Sequence, residues 1–128
     1  MIDAPVPAPG ESTLLVRVGA CGVCGSDLHI VDWELGAERM VARLPVILGH
    51  EPAGEVVEVG ACVANFKVGD RVALDPFGTG LHAVEQSSSG AVDLRPMVTH
   101  RYSISHGLEA FDLLRERRGV KALIIPND

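Results

Sequence analysis

Fourteen glycines and eight prolines cut this 128-residue chain into short apolar runs. That punctuation suits short strands and turns and argues against a bundle of long helices. With an aromatic share of only 4%, the core has to rest on Val, Leu, Ile and Ala. Leu14 to Ala20 alternates around Arg17 and reads as a strand. Leu44 to Gly49 reads as a buried strand or the approach to one. Ala53 to Val59 and Arg71 to Leu74 read as two further strands. Met97 to Ile104 is compatible with extended chain, and Val120 to Ile125 closes the sequence as an apolar strand. Two helices are expected between these runs. A short one passes through His29 to Trp33, capped by Ser26 or Asp27. A longer one starts at Ser105 and runs to Arg118, with Leu108, Phe111 and Leu114 on one face and Gly119 as the C′ residue.

Charge and cysteine usage narrow the class of function. The formal net charge is −6, and no basic stripe is present, so neither nucleic acid nor an anionic membrane surface is an expected partner. No stretch approaches the length of a membrane span, and the N-terminus lacks the basic and apolar regions of a secretion signal. Three cysteines cannot all pair within one chain, so a reducing, cytoplasmic setting is expected.

The residues best suited to chemistry are Cys24, His50 and Glu51. Thiolate, imidazole and carboxylate are ligand types that zinc takes, and three protein ligands leave a fourth position for water or substrate. A regular strand would point His50 and Glu51 to opposite faces. Gly49 before them and Pro52 after them favour an irregular corner that turns both toward one metal. On residue types alone, a buried thiol beside an exposed, ion-paired His-Glu remains the alternative.

The surrounding residues add a resemblance. Cys21-Gly22-Val23-Cys24-Gly25-Ser26-Asp27-Leu28-His29, then Gly49-His50-Glu51-Pro52-Ala53-Gly54-Glu55-Val56, then Val59-Gly60 and Phe66-Lys67-Val68-Gly69-Asp70-Arg71-Val72, resemble in order the zinc-dependent medium-chain alcohol dehydrogenases. The wording of Asp75-Pro76-Phe77-Gly78-Thr79-Gly80-Leu81-His82 is closest to the L-threonine and polyol dehydrogenase branch. The resemblance implies a mainly β fold with a few helices, a GroES-like partly open barrel. It implies catalytic Zn2+ held by Cys24, His50, Glu51 and Asp75, with Ser26 and His29 relaying the proton of an alcohol or polyol substrate and hydride passing to NAD(P). Asp27 would orient a ligating imidazole. For Ser26 the helix-cap reading stands beside the relay. Cys21 and Cys62 match no ligand position and read as small core thiols. Trp33 reads as a packing residue.

Three departures from the family pattern shape the expectation. No four-cysteine structural-zinc lobe is present, the N-terminal strand is short, and no Rossmann domain is encoded: Gly78-Thr79-Gly80 lacks the third glycine of a dinucleotide turn. Ser87-Ser88-Ser89-Gly90 reads as a linker at residues 87–90 where the cofactor domain would stand, joining residues 1–86 to residues 91–128 in a single truncated catalytic domain. Such a chain is expected to bind zinc without turning over alcohol alone, and to self-associate through bared interdomain surface. The competing readings are a non-redox zinc-binding module and a structural GroES-like barrel with vestigial site residues.

Overall fold

The computed structural model describes residues 3–34, 45–75 and 87–126. Strands β1 (Leu14–Val23), β2 (Glu51–Val59), β3 (Arg71–Ala73), β4 (Val98–Ser103) and β5 (Lys121–Ile125) form one unclosed sheet in the order β3-β2-β1-β5-β4. Helix α1 (Gly25–Val31) follows β1 directly, and α2 (Gly107–Arg115) links β4 to β5 after a 3-10 turn at Ile104–His106. The mainly β class with a few helices expected from the sequence therefore holds.

β1 is the spine of the sheet. It pairs antiparallel with β2 on one side, with two irregularities in register, and antiparallel with β5 on the other. β4 and β5 are parallel and joined through α2, a single β-α-β unit. The segment entering α2 is Ser103-Ile104-Ser105-His106, with no glycine-rich turn, so this unit carries no dinucleotide fingerprint. Among the described residues, no helix is long and apolar enough to cross a membrane.

The core lies where α2 packs on the C-terminal half of the sheet. Val23, Ala110, Leu113 and Ala122 are buried together, with Tyr102, Phe111, Leu114 and Ile124 packed against them. Val56 is buried as well, on β2.

Four expectations change in detail. Residues 45–49 form no strand, and Ile47 is 91% exposed; residue 44 lies outside the described residues. The inward face of α2 is Ala110 and Leu113, while Leu108 stands 76% exposed. α2 begins at Gly107 rather than Ser105 and ends at Arg115. Its C′ position is Arg117, at φ 54°, where Arg117 N–H bonds Leu114 O at 3.1 Å and Arg118 N–H bonds Leu113 O at 3.2 Å. This is the paired closure of a Schellman motif, normally built on glycine. α1 ends the same way: Trp33 sits at φ 51°, its N–H on Ile30 O and that of Glu34 on His29 O.

Ser87–Gly90 is folded back by a bond from Gly90 N–H to Ser87 O at 3.1 Å.

Candidate metal centre

β1 runs out at Val23, and the chain turns at Cys24 into α1. Cys24, not Ser26 or Asp27, occupies the N-cap, in extended conformation. Asp27 closes the helix start from the third position, its Oδ2 accepting the Cys24 N–H at 3.0 Å. The side chain of Asp27 is 2% exposed, and its Oδ1 accepts the Gly49 N–H at 3.0 Å. One buried carboxylate thus ties the corner before β2 to the start of α1. Two N–H donors offset the cost of burying it.

The corner itself depends on Gly49. Its φ is 90°, and a Cβ there would lie 2.7 Å from Cys21 Sγ. Only glycine fits both the backbone and the space. With the turn made, His50 Nδ1 faces Asp27 Oδ1 at 3.4 Å, and Nε2 faces Cys24 Sγ at 3.3 Å and Ser26 Oγ at 3.4 Å. Ser26 Oγ is 2.8 Å from Cys24 Sγ. Glu51 completes the group: one ligand atom each of Cys24, His50 and Glu51 lies within 4.8 Å of the other two. All three side chains are half-buried. The irregular corner expected from Gly49 and Pro52 does bring the adjacent His50 and Glu51 to one place.

The donor set fits zinc. It offers one sulfur, one nitrogen and one oxygen, all ligand types that zinc takes. Asp27 on the far nitrogen of His50 is the arrangement that fixes a ligating imidazole's tautomer and ring plane.

The remaining candidate residues are placed differently. His29 is on α1, 58% exposed, and its Nδ1 pairs with Glu34 Oε2 at 2.5 Å rather than with Ser26. Asp75 is half-buried just past β3 and is not one of the three clustered residues. Leu74 N–H bonds Pro52 O at 2.9 Å, so the backbone runs alongside the start of β2 as it reaches Asp75. Residues 76–82 lie outside the described residues. Cys21, Cys24 and Cys62 are free thiols. Burial pushes the Cys21 thiol above its ordinary pKa, as suits a packing residue.

One residue was not singled out from sequence. Lys121, first in β5, places Nζ 3.0 and 2.8 Å from the two carboxylate oxygens of Glu51. Nothing local to Val120-Lys121-Ala122 signals this, because the contact depends on the β1–β5 register.

Residues 10–108 match the family described as the alcohol dehydrogenase GroES-like domain. The chain belongs to that family. L-threonine 3-dehydrogenase of Shewanella baltica (strain OS155) is 40% identical over 72 residues, covering 56% of this chain and 21% of that protein. Sorbitol dehydrogenase of Gallus gallus is 40% identical over 97 residues, covering 75% of this chain and 26% of that protein. Among solved structures, a protein described as a zinc-binding dehydrogenase of Sinorhizobium meliloti 1021, bound to NADP, aligns with a TM-score of 0.50 and 39% identity. That alignment covers 71% of this chain and 25% of the other. The chain thus spans about a quarter or less of the relatives it matches.

Proposed function

We propose that this GroES-like chain binds one Zn2+ through Cys24, His50 and Glu51, as the metal-binding part of an alcohol or polyol dehydrogenase. The observation that carries the proposal is the convergence of three different ligand types within 4.8 Å, on a corner held by a buried carboxylate. Asp75 is the proposed fourth, acidic residue at the metal, supported by its position just beyond the β2–β3 pairing.

Bound zinc would polarise a hydroxyl oxygen and make its proton easier to remove. Ser26 would take that proton, a role supported by its Oγ lying 2.8 Å from Cys24 Sγ and 3.4 Å from His50 Nε2. His29 would carry the proton onward only after exchanging its Glu34 partner, so Ser26 is the better supported of the two. Ile30, Val46, Ile47 and Leu48 line a depression with Ser26 and His50 that would receive the apolar part of an alcohol.

Hydride acceptance by NAD(P)+ belongs to the proposal only at the level of the whole family. Among the described residues, the β-α-β unit of β4, α2 and β5 offers no glycine-rich turn, so this chain by itself is expected to bind zinc without oxidising alcohol. Holding both reactants in place supplies much of the rate. Three free thiols suit a reducing, cytoplasmic setting. Ile47, 91% exposed beside the cluster, supports self-association of the isolated chain, which sedimentation would detect as a concentration-dependent mass.

The test is zinc content by mass spectrometry on purified parent and Cys24→Ser protein. About one zinc per chain in the parent and little in the variant would support the reading. Zinc in neither would overturn it.

A further inference from the structure

Glu51 and Lys121 belong to strands that are not neighbours. β2 and β5 flank β1, so their ion pair has to cross β1. It does so at Gly22, which pairs with Glu51 on one side and with Leu123 on the other. A Cβ on Gly22 would lie 2.1 Å from Glu51 Oε2, so the carboxylate occupies the space a side chain would fill. One face of the sheet is therefore left bare at Gly22, and across it Lys121 Nζ reaches both Glu51 oxygens. The two side chains are only 28% and 37% exposed, which leaves the pair partly shielded from water.

The same carboxylate is within 4.8 Å of the Cys24 and His50 ligand atoms. It has two cationic claimants, the ammonium group and a metal ion. An ionised carboxylate has room for both, with about four acceptor directions on its two oxygens, but the two cations repel each other.

We propose that Lys121 is a positioning residue that governs how firmly Glu51 ligates. It holds the carboxylate across β1 and competes with the metal for it, so Glu51 can leave the metal without becoming an unpaired half-buried charge. Lysine suits this role because its ammonium is a compact point charge, whereas an arginine fork would grip both oxygens rigidly. The inference rests on the metal-site reading given above.

The test is Zn2+ affinity by competition with a chromophoric chelator, with Co2+ spectra reporting coordination. It compares the parent with Lys121→Met, Lys121→Arg, Glu51→Gln and the Lys121→Met/Glu51→Gln double variant. Removing the competing cation should tighten zinc binding about tenfold in Lys121→Met and shift the Co2+ spectrum. Lys121→Arg should weaken binding. The double variant should match Glu51→Gln within about twofold, because the gain needs the carboxylate. Unchanged or weaker binding in Lys121→Met would overturn the proposal, as would an equal gain with and without Glu51. Zinc bound by the parent but insensitive to Lys121 sinks only this inference. A parent that binds no zinc sinks the metal reading and this inference together.

Discussion

Asp27 Oδ1 stands 3.4 Å from His50 Nδ1 while the same carboxylate accepts the N–H groups of Cys24 and Gly49. One side chain, 2% exposed, thus orients the imidazole and fixes the backbone on both sides of the cluster. Asn would keep the shape but turn an NH2 toward one of those donors. Asp27→Asn should cost about 2–3 kcal/mol of stability. It should also weaken zinc binding about 10–100-fold. Urea titration of the metal-free protein and chelator competition measure the two separately. A variant with parental stability and affinity would show that Asp27 only fills space.

Gly49 and Gly69 form a matched pair for testing why the corner needs glycine. Both have positive φ, 90° and 92°, but only Gly49 has a neighbour where a Cβ would stand, Cys21 Sγ at 2.7 Å. Gly69→Ala should cost about 1–2 kcal/mol from backbone strain alone. Gly49→Ala should cost more and should also lower zinc affinity, because relief of the clash moves Cys21 or the corner carrying His50. Adding Cys21→Ala should recover part of the loss. Equal stability of the two single variants would remove the steric argument.

The grouping of Cys24, His50 and Glu51 was legible through the family resemblance of the motifs around it, since Cys24 and His50 are 26 residues apart. The glycine and proline bracketing His50 and Glu51 signalled only the corner that turns those two together. The strand sites along β1, β2 and β5 were legible from Val- and Leu-rich runs. Lys121 was not, since it meets Glu51 across 70 residues of sequence and through a register that no local pattern specifies. The run from Leu44 to Gly49 misled for the converse reason: an apolar run signals burial, but here Val46 to Gly49 line an open depression beside the cluster. In α2, Leu108, Phe111 and Leu114 share a helical stripe, yet the sheet it meets is small. Only Ala110 and Leu113 reach full burial, and Leu108 overhangs it.

The two helices are joined by Asp32 at the end of α1 and Arg115 in the last turn of α2, with Arg115 Nε 3.2 Å from Asp32 Oδ2. The hydrogen bond from Arg115 holds the Asp32 carboxyl below the usual carboxylate range. A carboxyl whose folded pKa is depressed adds stability above its unfolded pKa, about 3.9, and loses it as pH falls through the folded value. Asp32→Asn should therefore melt lower than the parent near neutral pH, and the gap should close in acid below that value. Salt should narrow the neutral-pH gap, since the pair is partly exposed to solvent. A gap that persists in acid would mean the variant acts through packing rather than charge.

Arg117 and Gly119 reverse the usual assignment at a helix end, which makes α2 testable by exchanging their roles. Arg117 holds the left-handed C′ position at φ 54°, a conformation that costs a residue with a Cβ about 1 kcal/mol. Its side chain is exposed, so Arg117→Gly removes that strain and gives up little packing. The greater freedom of glycine in the unfolded chain offsets part of the gain. The net expectation is a rise in Tm of a few degrees, as expected for about 0.5 kcal/mol in a domain of this size. Gly119 is needed for space instead: a Cβ there would meet Leu113 Cδ2 at 2.8 Å and Thr99 Oγ1 at 3.0 Å. Leu113 is 2% exposed and anchors the core, so Gly119→Ala should destabilise by about 1–3 kcal/mol through overpacking. Differential scanning calorimetry of both variants decides the matter. A destabilised Arg117→Gly beside a tolerated Gly119→Ala would mean that the helix stops at Gly119, as its sequence position alone suggests.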